Sequence, residues 1–226
     1  MDITYLILIP AMILAAWAQF KVSSSYKKYS GVGTMKGFTG ADVSRALLAV
    51  NGVNDVEVLP IEGQLTDHYD PRSKTVKLSQ GIYDSTSIAA VSVAAHETGH
   101  ALQHATSYAP LNIRSAIVPV ANISSKLAVP IFIAGMVFGS AGSFLMDIGI
   151  LLFLGAVLFQ VITLPVEFDA SKRAVAMLQN GNYITQDEVK PAKSMLNAAA
   201  MTYVAAAFMS LAQLLRLILL SGRRRR

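Results

Sequence analysis

The chain has 226 residues, of which 53% are hydrophobic and 15% charged, and its mean hydropathy is +0.47. A soluble domain carries about 25% charge, so this composition argues against a purely soluble or a disordered chain, and the lack of cysteine argues against a disulfide-stapled secreted one. The net charge of +5 includes the terminal run Arg223 to Arg226; the other charges nearly balance, so the basic excess speaks for orientation in a membrane and against nucleic acid as a partner.

Ile3 to Phe20 is uncharged and is followed by Lys21, Lys27 and Lys28. No basic segment precedes it and no small-residue cleavage pattern follows it, so it reads as a retained anchor. Lys21 to Gly37 is rich in Ser, Gly and Lys and reads as a linker. Thr39-Gly-Ala-Asp42 has the form of a capping box opening a helix whose apolar face is Val43, Ala46, Leu47 and Val50. Asn51-Gly52 ends it. Val53 to Leu59, Gln64 to His68 and Thr75 to Leu78 read as short strands, the last two joined by the type I turn residues Asp70-Pro71-Arg72-Ser73. A second helix starts near Asp84 to Ser87 and runs to about Ala105.

Spanning a bilayer takes roughly 20 apolar residues in a helix. Beyond the anchor, Ile117 to Phe144, Ile148 to Val166 and Ala198 to Leu220 meet or approach that length, the last carrying Gln213 and Arg216. The expected fold is a mainly α membrane protein with about four transmembrane helices and a small α+β polar part. The corresponding domains are an anchor (1–20), a polar part (21–116), two spans (117–166), a second polar segment (167–197), and a hydrophobic helix with a basic tail (198–226). The lysines after the first span place 21–114 and 167–197 in the cytoplasm, with an outside turn near Gly139 to Asp147. The terminal arginines disagree with that orientation if the last helix crosses fully. Either that helix lies in the membrane surface with Arg216 snorkelling, or the orientation is inverted.

The second polar helix contains His96-Glu97-Thr98-Gly99-His100, and three of the chain's four histidines lie in this helix. Residues four apart share a helical face, so the two imidazoles can converge on one ion. Neutral imidazole suits Zn2+, and a catalytic zinc keeps three protein ligands and one open position for water. Glu97 stands where its carboxylate can take a proton from that water, whose pKa the metal lowers to about 7. His104 continues the same face, but an unbroken helix puts it too far along the axis to complete a tetrahedron; it suits a supporting or substrate-contacting role, or none. Glu167, directly after the third span, is the better third ligand, with Asp169 as its rival. His68 or Tyr69, on the hairpin, could donate a hydrogen bond to a developing oxyanion, or be ordinary polar turn residues. Tyr83 and Tyr108 are possible donors with nothing to single them out.

His96-Glu-Thr-Gly-His-Ala-Leu-Gln-His104, Leu65-Thr-Asp-His-Tyr-Asp-Pro71, Tyr108-Ala-Pro110 and Leu164-Pro-Val-Glu-Phe-Asp-Ala-Ser171 resemble the YugP-type membrane zinc metallopeptidases. The resemblance runs over nearly the whole chain and implies a zinc-dependent, membrane-embedded endopeptidase, loosely akin to the HtpX-type gluzincins. In those relatives the third ligand is the glutamate of a Glu-x-x-Ala-Asp pattern, which falls on Glu167. Ser171 stands where that pattern has its final Asp, so support of a motif histidine does not carry over from the resemblance; Asp169 or Asp67 could supply it.

The expected function is hydrolysis of a peptide or protein substrate, membrane proteins included, by zinc held on His96, His100 and Glu167, with Glu97 as general base and His68 as a candidate donor. The chain is then a multi-pass protein of a prokaryotic plasma membrane, in contact with the lipid bilayer, with its active site on the cytoplasmic side. The alternatives are an intramembrane metalloprotease, or a non-catalytic zinc-retaining scaffold or chaperone that needs a fourth protein ligand such as His68 or His104.

Overall fold

A computed structural model describes residues 3–138 and 142–224. The chain forms two compact units, one of Met1–Ala18, Asn112–Pro165 and Thr202–Arg226, the other of Gln19–Leu111 and Val166–Met201. Among the described residues four helices are long and apolar enough to cross a membrane, within Ile3–Ser30, Ala109–Val137, Ser143–Asn180 and Gln186–Arg223.

The second unit holds the polar elements. Helix α1 (Ile9–Ser30) does not stop at Phe20. The expected linker over Lys21 to Gly37 is therefore corrected: no Gly or Pro interrupts the sequence before Gly31, and Tyr26 and Tyr29 continue the helix onto the two apolar cores of this unit. Helix α2 (Gly40–Val50) opens on the expected capping box, with Thr39 accepting from the Asp42 amide and Asp42 accepting from that of Thr39. Its end is a Schellman motif: Gly52, at φ 71°, donates to the Ala49 carbonyl and Val53 to that of Leu48. Val53 is thus spent on the cap, so the first strand, β1, begins later than expected and spans Glu57–Ile61.

Strands β2 (His68–Asp70) and β3 (Thr75–Ser79) complete a three-stranded sheet of order β1-β3-β2, with β1 parallel and β2 antiparallel to β3. The expected strand over Gln64 to His68 is corrected to His68–Asp70. Gly63 and Leu65 sit at φ 102° and 55°, a left-handed backbone that no strand accommodates, and Thr66 closes the turn by donating to the Glu62 carbonyl. A short helix α3 (Gln80–Tyr83) precedes the motif helix α4 (Ile88–Ala105), which Ser87 caps by accepting from the Ala90 amide.

Small residues let α4 sit close on both sides. One face, with Ala90, Ala94 and Ala101, joins Val58, Val76 and Leu78 of the sheet and Leu48 of α2 in one core. Val91 and Ala95 join Ala174 and Leu178 of α6 (Ser143–Asn180) and Leu196 of α7 (Gln186–Arg224) in a second. Thr98, buried in the motif, donates to Ser44 of α2 and to the Ala94 carbonyl.

In the first unit, α5 (Ala109–Val137) packs on α6 around Phe132 and Met146, with Leu217 of α7. Gly149 is required there, because a Cβ would stand 2.8 Å from the Ala128 carbonyl oxygen. The Arg216 guanidinium lies over the Tyr5 ring, 3.9 Å from its centroid. Helix α6 passes through Pro165 without ending, so the polar stretch expected after Val166 begins as further turns of the same helix. Residues 139–141 of the expected outside turn, and Arg225 and Arg226 of the basic tail, lie outside the described residues.

Candidate metal centre and active site

Helices α4 and α6 bring together the residues the sequence singles out. His96, His100 and Glu167 offer three ligand atoms within 4.8 Å of one another. His96 Nε2 is 3.3 Å and His100 Nε2 3.6 Å from the same carboxylate oxygen, Glu167 Oε2. Zinc bonds to nitrogen of 2.0–2.1 Å place tetrahedral ligands about 3.3–3.4 Å apart, so the two distances to Glu167 come near the edges of a zinc tetrahedron, within a group that spans up to 4.8 Å. Glu167 is only 2% exposed. A buried carboxylate facing two imidazoles is a donor set suited to a borderline-soft divalent cation such as zinc.

Both imidazoles are oriented from behind, as metal-bound histidines usually are. Gln103, fully buried, places its Oε1 3.0 Å from His100 Nδ1. Its Nε2 donates to Asp169 at 2.8 Å and to the Val166 carbonyl at 2.9 Å. Asp169 in turn accepts from Arg173 at 2.6 Å, and the Arg173 guanidinium lies over the Tyr108 ring. Ser171 Oγ is 3.2 Å from His96 Nδ1. With each Nδ1 occupied, each Nε2 is the nitrogen left to face Glu167. Burial opposes a charged His100, yet its hydrogen bond to Glu167 and the nearby Glu97 charge outweigh that and hold its pKa above the ordinary value. The site therefore favours positive charge at the point where the three ligand atoms meet.

The sequence expectations now have positions. Asp169, the rival ligand, is outside the group and supports Gln103 instead. Ser171 reaches the histidine although it lacks the carboxylate of the wider pattern. Asp67 does not support a motif histidine; it accepts from the Ser79 amide and hydroxyl, and burial pushes its carboxyl above the ordinary range despite those bonds. His104 bonds through Nδ1 to the Tyr69 hydroxyl at 2.8 Å. The Tyr69 phenol is pushed up to about 12 by burial and by Asp55 and Asp70. Tyr69 sits opposite buried Val76, on the sheet face that meets α4. His68 alternates to the other face, opposite Lys77, with its Nδ1 2.8 Å from the Thr66 carbonyl, so the structure does not bring it to the group. Glu97 is half-buried beside the first ligand, and no hydrogen bond or ion pair engages its carboxylate among the described residues. Tyr83 bonds Arg45. The sequence reading did not single out Gln103, although its place three residues after His100 on a helix was a usable signal.

Gly99, between the two motif histidines, is where α4 and α6 touch backbone to backbone: a Cβ there would stand 2.9 Å from the Ala170 carbonyl oxygen. This close approach is what lets a helix bearing two histidines meet a helix bearing the glutamate.

The chain is similar to known proteins over nearly its whole length. Residues 4–222 match the family described as "putative neutral zinc metallopeptidase". A relative from Bacillus subtilis (strain 168), named "putative membrane protease YugP", is 50% identical over 217 residues, covering 95% of this chain and 96% of the relative. No solved structure matches. With four membrane-length helices and a His-His-Glu group at the meeting of α4 and α6, this membrane protein belongs to the neutral zinc metallopeptidase family.

Proposed function

We propose that the chain is a zinc-dependent endopeptidase that hydrolyses peptide bonds in protein or peptide substrates. The observation that carries the reading is the convergence of His96, His100 and Glu167 beside Glu97, whose carboxylate makes no hydrogen bond or ion pair among the described residues. Bound zinc supplies Lewis acidity, polarising a carbonyl and lowering the pKa of a water. The protein's own groups do the rest. His96, His100 and Glu167 hold the ion, and Gln103 and Ser171 fix the imidazole orientations. Glu97 takes the proton of the attacking water and passes it to the leaving amine. Among the described residues strand β2 pairs only with β3, so its outer edge can pair with an extended substrate.

A closed structural site needs a fourth protein ligand, and among the described residues this group has three; that supports catalysis over a zinc-retaining scaffold. The motif helix Ile88–Ala105, 18 residues with three histidines and Glu97, is not among the described helices long and apolar enough to cross a membrane, which supports a site outside the hydrocarbon over an intramembrane one. Lys21, Lys27 and Lys28 after the first apolar run support a cytoplasmic site in a prokaryotic plasma membrane.

The test is Glu97→Gln in purified protein. It should keep bound zinc at the wild-type stoichiometry and lose cleavage by at least about 100-fold, the lower end for a general base. Cleavage at the wild-type rate by Glu97→Gln would overturn the mechanism.

A further inference from the structure

The unit that holds the metal centre also contains an open groove of about 480 Å³ between α6 and α7, lined by Phe168, Lys172, Val175, Lys193 and Leu196 among others. We infer that this groove binds an anionic phospholipid, with the lysines on its headgroup and the apolar wall against the start of its acyl chains.

Three observations carry the inference. The first is charge: both lysines are exposed at the groove, and no acidic residue lines it. The second is the apolar surface between them. Phe168 is 45% exposed and Leu196 is buried, both lining the groove, an apolar lining with no use for a bare anion. The third is position along the chain. Phe168 comes just after the apolar run ending at Val166, and Asn197, also lining the groove, comes just before the run beginning at Ala198. Residues at the ends of apolar spans lie at headgroup depth, and basic pockets between such helices recognise anionic headgroups. The volume suits a headgroup with part of its chains and is far larger than an ion needs. One wall is Ser171, whose hydroxyl bonds His96, so an occupant would touch the residue that orients a metal-ligating imidazole.

The experiment uses the full chain, exchanged into vesicles of equal phosphatidylglycerol and phosphatidylcholine, re-extracted in mild detergent, and examined for retained lipid by native mass spectrometry. Wild type should retain phosphatidylglycerol in preference. Lys172→Gln with Lys193→Gln should lose that preference by up to about 30-fold, from about 1 kcal/mol per lysine. Ala176→Phe, which fills the groove and leaves both lysines, should retain neither lipid there. The control Lys36→Gln with Lys77→Gln should behave as wild type. Equal retention of the two lipids by wild type, an unchanged preference in the Lys172/Lys193 variant, or the same loss in the control would overturn the site. So would displacement of the lipid by millimolar inorganic phosphate, which would make it a phosphate site. The readout involves no cleavage, so its failure is distinct from failure of the peptidase reading.

Discussion

Gln103 offers a sharp test of how the metal centre is built. Replacing it with Met keeps the volume of the side chain, so the effect of a cavity is small and the effect of the lost hydrogen bonds is exposed. Three groups lose a partner, but not equally. The Val166 carbonyl keeps its bond within α6, which is helical from Ser143 to Asn180. Asp169 keeps Arg173. Only His100 Nδ1, on a residue 9% exposed, is left with nothing. One unsatisfied buried donor costs about 1–3 kcal/mol, and the ring is then free to turn or to adopt the other tautomer. Loss of such an outer partner weakens zinc about 10- to 100-fold, or about 1.4–2.7 kcal/mol. Competition with a chromophoric chelator measures this directly. Gln103→Glu provides the comparison: it keeps an acceptor for His100 but sets a second carboxylate against Asp169, so it should fall between Met and wild type. Zinc affinity in Gln103→Met within threefold of wild type would refute the claim that Gln103 positions the ligand.

Other substitutions report on separate parts of the same construction. Glu167→Ala should abolish stoichiometric zinc binding, as read by metal analysis after gel filtration; retention would point to Asp169. In Gly99→Ala the helix preference for Ala over Gly, about 1 kcal/mol, opposes a methyl set 2.9 Å from the Ala170 carbonyl oxygen. If overpacking at about 1–3 kcal/mol wins, the melting temperature in detergent falls and zinc weakens; a raised melting temperature would mean that α4 and α6 part freely. The Thr39 hydroxyl and amide hold the Asp42 carboxyl below its ordinary range. Because the folded pKa is the lower one, its contribution is complete above the unfolded value near 4 and is lost as pH falls through the folded value. Asp42→Asn should therefore destabilise by less than about 1 kcal/mol at pH 6, and the difference should shrink as the pH is lowered below the unfolded value in paired melts.

What the sequence made legible, and what it did not, follows from the kind of order each residue obeys. The motif histidines are related by helical period, and α4 runs over Ile88–Ala105 much as its caps and alanines implied. Glu167 was reachable because it stands beside Pro165 at the end of an apolar run, ahead of a helix-like segment, although a charge at a span end is also ordinary. The failures are local conformations set by competing partners. Val53 has the composition of a strand residue, yet its amide is taken by the Leu48 carbonyl. Leu65 alternates suitably, but the turn around Gly63 holds it at φ 55°. Lys21 to Ser30 looks like a linker until its tyrosines find two cores.

Ser171 shows the remaining gap most clearly. Read in sequence it is a missing carboxylate, and the expected support of a motif histidine is lost with it. In the fold its hydroxyl reaches His96 Nδ1 at 3.2 Å, while the carboxylate in the neighbourhood, Asp169, acts through Gln103 on the other histidine. In this chain a carboxylate bears on His100 by way of an amide, and a hydroxyl stands at His96. A hydroxyl is a weaker acceptor than a carboxylate, so His96 should be the less firmly held ligand. Ser171→Ala should then weaken zinc less than Gln103→Met does, and Ser171→Asp should strengthen it. The opposite ranking, measured by the same chelator competition, would show that the two supports are not divided in this way.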